Sequence, residues 1–198
     1  MYPFIKRLLD ILSSLIVLIL LSPFLFIVAI LIMIDSRGGV FYKQERIGKN
    51  QKPFFLYKFR SMRPESDKGS KITIGSDPRI TKIGAFIRQF KIDELPQLIN
   101  IVKGEMSVVG PRPEVKQYVQ LYTEKQLRVL TVKPGLTDFA SIQFFNEQEI
   151  LGKAEDPQKK YIEEVMPQKL ELNLHYIEQA SFKTDLTVIF RTLLKIIS

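Results

Sequence analysis

The chain begins with one long apolar run. No charged residue occurs between Ile11 and Ile34, which is about 24 residues and long enough to cross a bilayer as a helix. Pro23, which follows Ser22, divides the run into two arms of about 11 residues, each about 17 Å long as a helix or half a bilayer. Because proline removes a backbone donor and Ser22 offers a hydroxyl to the freed groups, the pattern predicts a break at this dipeptide.

Basic residues flank the apolar run on both sides, so both ends carry the charge signature of cytoplasmic segments. These residues are Lys6, Arg7, Arg37, Lys43 and Arg46. A re-entrant anchor over residues 1–36, turning at Ser22–Pro23, would place both flanks on one side of the membrane. Proline kinks also occur within spanning helices. From the residues alone, the re-entrant anchor and the kinked span therefore both stay open.

Residues 37–198 show strand-like and helix-like patterns that predict one domain of α+β class, mainly helical. The segment 40–62 has the pattern of a small β-hairpin, with a turn at residues 48–50. A polar loop is predicted over 63–78. Helical spacing then predicts helices around 80–90, 95–102 and 114–130, a turn at Pro134–Gly135, and mixed helix and loop over 158–178.

The C-terminal segment carries an apolar stripe at helical spacing, with basic residues off the stripe. The stripe consists of Phe182, Leu186, Ile189, Phe190, Leu193, Leu194 and Ile197. In a soluble protein such a stripe packs on the core. Next to a membrane anchor, a basic amphipathic helix can instead lie in the headgroup plane. We favour the interfacial helix and keep core packing as the alternative.

The amino-acid composition limits the kinds of partner and of catalytic chemistry that this chain can have. The formal net charge of +8 favours anionic partners such as phosphates, nucleic acid or acidic lipid. The chain has no cysteine, which excludes disulfides, zinc–thiolate sites and thiol nucleophiles. Its single histidine, His175, fits a helix surface better than a catalytic role. Carboxylate chemistry is the main class that remains.

The adjacent carboxylates Asp93 and Glu94 stand among basic residues, which are Lys58, Arg60, Arg88, Lys91 and Arg112. Carboxylates among guanidinium groups suit a site that handles phosphate, where arginines bind the anion and one carboxylate holds a divalent cation. A plainer alternative is that Asp93 caps a helix with Pro96 in its first turn. The chain has no Walker A motif, no Gly-x-Gly-x-x-Gly and no Asp-x-Asp.

Five ordered motifs carry a resemblance to a known family: Ser22-Pro23, Gln44-x-Arg46-x-Gly48, Lys58-Phe59-Arg60-Ser61-Met62, Asp93-Glu94-Leu95-Pro96-Gln97-Leu98 and Val109-Gly110-Pro111-Arg112-Pro113. Over nearly its whole length the chain resembles the bacterial sugar transferases known as monotopic phosphoglycosyl transferases, in their short form. The resemblance implies a re-entrant helix over 1–36 that does not span. It also implies a catalytic domain over 37–198 on the cytoplasmic face of the bacterial inner membrane, in contact with an anionic lipid bilayer.

The same resemblance implies a reaction and a set of site residues. The reaction transfers a sugar 1-phosphate from a UDP-sugar to polyprenyl (undecaprenyl) phosphate and releases UMP. Asp93 would be the nucleophile that forms an aspartyl-phosphosugar, and Glu94 would hold Mg²⁺. The residues implied to bind substrate are Lys58, Arg60, Arg88, Pro111, Arg112 and Pro113. A nucleic-acid partner is not expected, because no known nucleic-acid-binding module is seen. Neither the sugar nor the oligomeric state can be read from the sequence, so a homodimer stays open.

Two departures from the family pattern concern the sugar and base pocket. Many relatives read Pro-Gly-x-Thr-Gly-Trp-Ala-Gln where this chain has Asp138, Phe139 and Ser141, and they often carry Asp where this chain has Asn173. Asn173 would keep the shape and lose the charge. Two other functions stay open beside the transferase: a basic membrane-peripheral binding protein without activity, and the same reaction with a different nucleotide donor.

Overall fold

The computed structural model describes residues 2–63 and 77–197, and in it the apolar N-terminal run forms a single helix. This helix, α1, covers Tyr2–Asp35 and includes Pro23. The Ser22 hydroxyl donates to the Ile19 carbonyl at 2.8 Å, which satisfies a backbone group next to the proline. In place of the predicted helix–break–helix, the backbone thus stays helical through this dipeptide. In the part of the chain that the structure describes, α1 alone is long and apolar enough to cross a membrane.

Both ends of α1 contact the domain formed by the rest of the chain. Near the first end, Asp10 accepts a hydrogen bond from the Ser107 hydroxyl at 2.7 Å. At the other end, Asp35 accepts one from the Ile83 backbone N–H at 2.8 Å. Between these ends lie the exposed apolar side chains of Ile19, Leu20, Phe24, Phe26 and Ile27. The helix is therefore held at its two ends and along one face, and it leaves these apolar side chains of its middle uncovered.

The predicted hairpin is confirmed. Strands β1 (Phe41–Ile47) and β2 (Pro53–Phe59) pair antiparallel, with Phe41 opposite Phe59. The connecting turn contains Asn50 in the left-handed region at φ 55°, a conformation that asparagine tolerates well. Of the polar loop predicted over 63–78, residues 64–76 lie outside the described part of the chain.

The two helices predicted after this loop are also confirmed, but the start of the second differs. Helix α2 covers Lys82–Gln89, and α3 covers Gln97–Lys103 and ends at Gly104 with φ +92°. A tight 3-10 turn, Ile92–Glu94, lies between them. The residue that precedes α3 is Pro96, so the prediction that Asp93 caps this helix is wrong. The reason is that the left-handed backbone of Lys91 (φ 56°) starts a separate turn.

A small parallel pair of strands was not predicted. Strand β3 (Ser107–Val109) pairs with β4 (Gly135–Thr137), where the sequence indicated only a turn. The two backbones come so close that a Cβ atom on Gly135 would lie 2.2 Å from the Gly110 nitrogen. Glycine is required at this contact for that reason. The pairing fixes the loop after β3 against the segment after β4.

The remaining helices differ from prediction in two places. The expected helix over 114–130 is split into α4 (Lys116–Val119) and α5 (Glu124–Leu127), because Thr123 starts a new helix with a capping box. Helices α6 (Phe139–Gln143) and α7 (Glu147–Gly152) follow. The segment expected to mix helix and loop is instead helical throughout, as α8 (Pro157–Lys160), a π turn (Tyr161–Val165) and α9 (Met166–Glu178). The main core lies between these elements and includes Val115, Tyr118, Leu130, Leu151, Leu170 and Leu174.

The predicted C-terminal helix is confirmed as α10 (Phe182–Ile197), and its apolar stripe points away from the domain. Its inner face buries Asp185 and Val188. The outer residues are 49–83% exposed, and they are Phe182, Leu186, Phe190, Leu193, Leu194 and Ile197. Only Ile189 of the predicted stripe packs against buried neighbours. The structure thus contradicts the core-packing alternative for the stripe, and contact with lipid stays a prediction.

Candidate active site

Asp93 and Glu94 lie on the 3-10 turn before α3, in the wall of one large open cleft. The cleft has a volume of about 1640 Å³, and Lys58, Arg88 and Arg112 also line it. Both acidic residues are nearly buried, with exposed fractions of 6% for Asp93 and 9% for Glu94. Arg60 lines the cleft as well, so the structure brings together six of the residues that the sequence analysis placed in the site.

Glu94 is held by two cations. Its Oε2 accepts a hydrogen bond from Nη1 of Arg112 at 3.1 Å, while Nη2 of Arg112 bonds to Oε1. The Lys58 ammonium donates to the same Oε1 at 3.0 Å. Burial by itself would raise the pKa of Glu94, but the charges of Arg112 and Lys58 outweigh it and hold this pKa well below its ordinary value. Glu94 is therefore a fixed negative charge.

Asp93 has a different environment from its neighbour. No residue within 2–63 or 77–197 donates a hydrogen bond to its carboxylate, whereas Glu94 receives three. Burial raises the pKa of Asp93, and the nearby Lys58 charge opposes this shift. A desolvated carboxylate without hydrogen bonds is more basic and more nucleophilic than one in water or in an ion pair. Two adjacent carboxyl groups thus have opposite pKa shifts, which is typical of functional sites.

Arg88 and Arg60 were both expected to bind substrate phosphate, and both line the cleft, but their guanidinium groups contact different parts of the molecule. Arg88 lies on α2 at the cleft and donates to the Ser61 hydroxyl at 3.3 Å. Arg60 turns its buried guanidinium to the end of α1. There it donates to the carbonyl groups of Ile32 at 3.3 Å, Ser36 at 2.6 Å and Arg37 at 3.2 Å. The last carbonyls of a helix lack backbone partners, so Arg60 anchors α1 to the hairpin, and phosphate binding by Arg60 stays a prediction.

The two prolines beside Arg112 hold its backbone in place through contacts of their carbonyl groups. They are not among the described residues that line the cleft. The Pro111 carbonyl accepts a hydrogen bond from the Gly135 N–H at 2.9 Å. The Pro113 carbonyl accepts one from Nη1 of Arg46 at 3.1 Å. These contacts give Pro111 and Pro113 a structural role, in which they fix the turn that presents Arg112, and substrate binding by the two prolines stays a prediction.

Several residues of the site were missed by sequence reasoning. Glu114 forms an ion pair with Arg46 at 2.8 Å and accepts a hydrogen bond from the Tyr161 hydroxyl at 2.5 Å. This cluster supports the turn of Arg112 from behind. Phe145 also lines the cleft, with the Lys91 ammonium 5.1 Å from its ring centroid. The contacts join segments far apart in the chain, and no local pattern marks them.

The two remaining sequence expectations concern α9. His175 is exposed on this helix, as expected for a helix-surface residue. Asn173 is buried, is not among the described residues that line the cleft, and its Oδ1 has no hydrogen-bond partner in the described chain. A place for Asn173 in the metal or phosphate shell therefore finds no support in its position.

Glu94 and Asp93 offer a limited set of ligands for a metal ion. Within the described residues no group of three or more acidic, histidine or cysteine side chains is close enough to hold one. Mg²⁺ commonly takes only one or two protein carboxylates and completes its shell with substrate phosphates and water. Oε2 of Glu94 accepts a hydrogen bond from Arg112 alone, so one of its lone pairs remains for a cation. The donor set fits Mg²⁺ that arrives with a diphosphate.

Comparison with known proteins extends over the full length of the chain. The sequence profile of a family described as "Bacterial sugar transferase" matches residues 1–198. A "UDP-N-acetylgalactosamine-undecaprenyl-phosphate N-acetylgalactosaminephosphotransferase" of Aeromonas hydrophila is 35% identical, over 100% of this chain and 44% of its own length. A "UDP-glucose:undecaprenyl-phosphate glucose-1-phosphate transferase" of Escherichia coli K12 is 38% identical, over 96% of this chain and 40% of its own length.

Other relatives are close to this chain in length. The "Exopolysaccharide production protein PSS" of Rhizobium leguminosarum bv. phaseoli is 40% identical, over 95% of this chain and 92% of its own length. This chain thus spans less than half of the two relatives named for a specific sugar, and nearly all of the shorter one.

Proposed function

Because this chain belongs to the bacterial sugar transferase family, we propose that it transfers a sugar 1-phosphate from a UDP-sugar to undecaprenyl phosphate or another polyprenyl phosphate and releases UMP. Relatives named for undecaprenyl phosphate and for UDP-sugars support this reaction. One observation carries the proposal: Asp93 is buried at the cleft without a hydrogen-bond donor among the described residues, beside a Glu94 fixed by Lys58 and Arg112.

The reaction proceeds in two displacements at phosphorus. A carboxylate oxygen of Asp93 attacks the β-phosphorus of the donor, and the bond from this phosphorus to the bridging oxygen breaks. UMP leaves with that electron pair, and an acyl phosphate joins Asp93 to the sugar phosphate. An oxygen of the lipid phosphate then attacks the same phosphorus. The acyl phosphate bond breaks, the Asp93 carboxylate is restored, and the product is a polyprenyl diphosphate sugar.

The cations of the cleft address the main difficulty of this chemistry, which is the repulsion between anions. Lys58, Arg88 and Arg112 line the cleft that holds Asp93. Fixed positive groups in a desolvated site stabilise the charge that develops on the phosphoryl oxygens. Mg²⁺ bound at Glu94 would neutralise the diphosphate and stabilise the departing UMP. No histidine base is needed, since both nucleophiles are acidic groups that act as anions.

The placement of α1 supports a monotopic location on the cytoplasmic face of the bacterial inner membrane. A helix of 34 residues is about 51 Å long if straight, and the hydrocarbon core of a bilayer is about 30 Å thick. In a spanning helix the two ends would lie on opposite sides of the membrane. Asp10 and Asp35 instead both bond to the same domain, and the stretch between them exposes many large apolar side chains. This arrangement favours an anchor that enters and leaves on one face, with its turn made as a proline bend within the continuous helix rather than as a break.

The exposed face of α10 gives this location a second support. Its large apolar residues point away from the domain, and the basic residues Lys183, Arg191 and Lys195 lie along the same helix. A helix of this kind lies in the headgroup region, with its apolar face in the acyl boundary and its cations near anionic lipid. The cleft is lined in part by Leu193 and Ile196 of α10, so the site would open next to the membrane surface, where the lipid phosphate lies.

The topology can be tested with single cysteines, because the chain has none of its own. We expect Pro3→Cys, at an exposed position near the start of α1, to resist a membrane-impermeant thiol reagent added outside intact cells. Lys125→Cys, exposed on the domain, is the matched control. Both should react after permeabilisation. Reaction of Pro3→Cys from outside, while Lys125→Cys stays protected, would show a spanning helix.

A panel of nucleotide sugars tests the reaction itself. We expect UMP release from at least one UDP-sugar, with continued turnover only when undecaprenyl phosphate is present. The assay measures nucleoside monophosphate released with and without the lipid. Release of a different nucleotide would replace the donor class, and silence with every donor would favour the non-enzymatic binding protein.

A further inference from the structure

Asp138 is a fully buried acid next to the proposed catalytic residues, and the reaction described above gives it no role. Its exposed fraction is 0%. It lies between β4 and α6 and uses both carboxylate oxygens. Oδ2 accepts a hydrogen bond from the backbone N–H of Arg112 at 3.0 Å, and Oδ1 accepts one from the backbone N–H of Ser141 at 2.5 Å. One side chain thus caps α6 and joins it to the turn of Arg112.

The backbone on both sides of Arg112 is already constrained. Pro113 restricts the preceding residue to an extended conformation. The Pro111 carbonyl is fixed by Gly135 at 2.9 Å, and the Pro113 carbonyl is fixed by Arg46 at 3.1 Å. The N–H of Arg112 is the one backbone donor of the turn Pro111–Pro113, because prolines have no backbone N–H. Asp138 satisfies that donor and so adds a third backbone contact to the two made by the proline carbonyls.

The side chain of Arg112 makes the two-pronged contact with Glu94 that holds the negative charge in place. Such a fork needs both nitrogen atoms to meet both oxygen atoms in one plane. Its geometry depends on where the backbone of Arg112 sits, because the side chain is long and otherwise free to rotate. A shift of the turn by a fraction of an ångström would weaken both bonds and the placement of phosphate beside them.

We propose that Asp138 is a positioning residue for the transfer reaction. It holds the backbone of Arg112 so that the guanidinium forks onto Glu94 and faces the donor diphosphate. This inference rests on the proposed function. It differs from a purely structural role for Asp138, in which the carboxylate would serve only as the cap of α6.

Two substitutions separate these roles. In Asp138→Ser, the hydroxyl can still accept from the Ser141 N–H, because serine is a good N-cap residue. Serine has only one side-chain oxygen, so the Arg112 N–H loses its hydrogen-bond partner. The matched control is Asp156→Ser, which changes the exposed cap of α8, where Oδ1 accepts from Lys159 at 2.9 Å. Asp156→Ser should leave transfer unchanged.

The first test is a double-mutant cycle on kcat/KM for UMP release. We expect Asp138→Ser to lower kcat/KM by about tenfold to a hundredfold, since it removes one charge-assisted hydrogen bond that orients the site. In an Arg112→Ala background the same change should have no further effect, because a residue that acts through Arg112 has nothing left to position. Equal losses in both backgrounds would overturn the proposal, as would wild-type kcat/KM in Asp138→Ser.

The second test is hydrogen exchange of the Arg112 amide, which does not depend on activity. Because both neighbours are prolines without amide hydrogens, this amide can be resolved within a short peptide. We expect exchange to be slow in the wild type and faster in Asp138→Ser, with the Ser141 amide still protected. Equal exchange rates of the Arg112 amide in both proteins would overturn the proposal that Asp138 holds the Arg112 backbone. If no donor yields UMP, the proposed transfer reaction is wrong. The exchange rate of the Arg112 amide still shows, independently of activity, whether Asp138 holds the Arg112 backbone.

Discussion

Asp93→Asn is expected to lower the rate of UMP release by about a thousandfold or more, because an amide cannot act as the nucleophile that forms the acyl phosphate. The substitution keeps the size of the side chain. Since the Asp93 carboxylate accepts no hydrogen bond from the described residues and is nearly buried, the fold does not depend on its charge. We expect an unfolding temperature equal to or slightly above that of the wild type, measured by thermal denaturation next to the UMP assay.

The matched control for this substitution is Asp156→Asn, on the exposed cap of α8. Asparagine caps a helix as well as aspartate does, so both activity and unfolding temperature should stay at wild-type values. A variant Asp93→Asn that retained more than a tenth of the wild-type rate would exclude Asp93 as the nucleophile.

Glu94→Gln is expected to impair both stability and catalysis. It removes the partner of two partly buried cations, Lys58 and Arg112, which hydrogen-bond to the buried Glu94 in the wild type. Breaking a buried ion pair by removing one partner costs about 3 to 5 kcal/mol, so the free energy of unfolding in urea should fall by about 3 kcal/mol. The rate should fall by about a hundredfold, since the diphosphate and its cation lose a fixed negative ligand.

The control for Glu94→Gln is Glu149→Gln, in an exposed pair with Lys153 on the surface. Solvent screens such pairs, so neither stability nor rate should change. If Glu94→Gln were as stable as Glu149→Gln, the buried network would not stabilise the fold.

The stability difference between the wild type and Glu94→Gln should depend on pH. The pKa of Glu94 is held well below its ordinary value, so its charge stabilises the folded state above the unfolded-state pKa of about 4.3. That stabilisation is lost as the pH falls through the lower pKa of the folded state. The two proteins should therefore differ most near neutral pH and converge in acid.

The sequence predicted those parts of the fold that have a local signal. The apolar run, the hairpin over 40–62 and the apolar stripe of α10 are each visible within a short window, and each is confirmed as an element. The parallel pair of β3 and β4 has no such signal, because each strand has three residues and its partner lies more than twenty residues away. The end of the helix at Thr123 was missed because its capping box lies inside a continuous helical pattern.

The site residues also divide into those with a local sequence signal and those whose role depends on the tertiary structure. Asp93, Glu94, Lys58, Arg88 and Arg112 were predicted and lie on one cleft. Arg60 belongs to the same motif as Lys58, yet its guanidinium is buried at the end of α1. Charge and motif place a residue near a site, but only the tertiary structure shows which way its side chain points. The role of Asp138 could not be predicted for a related reason, since its contact with the Arg112 N–H joins segments 26 residues apart that the pairing of β3 with β4 brings together.

The measurement that tests this account most directly is the intact mass of the protein after incubation with its UDP-sugar in the absence of lipid acceptor. We expect a mass increase equal to one sugar phosphate, located by peptide mapping on Asp93. The added mass should disappear when undecaprenyl phosphate is supplied. Steady UMP release without any covalent adduct, or an adduct on another residue, would contradict it.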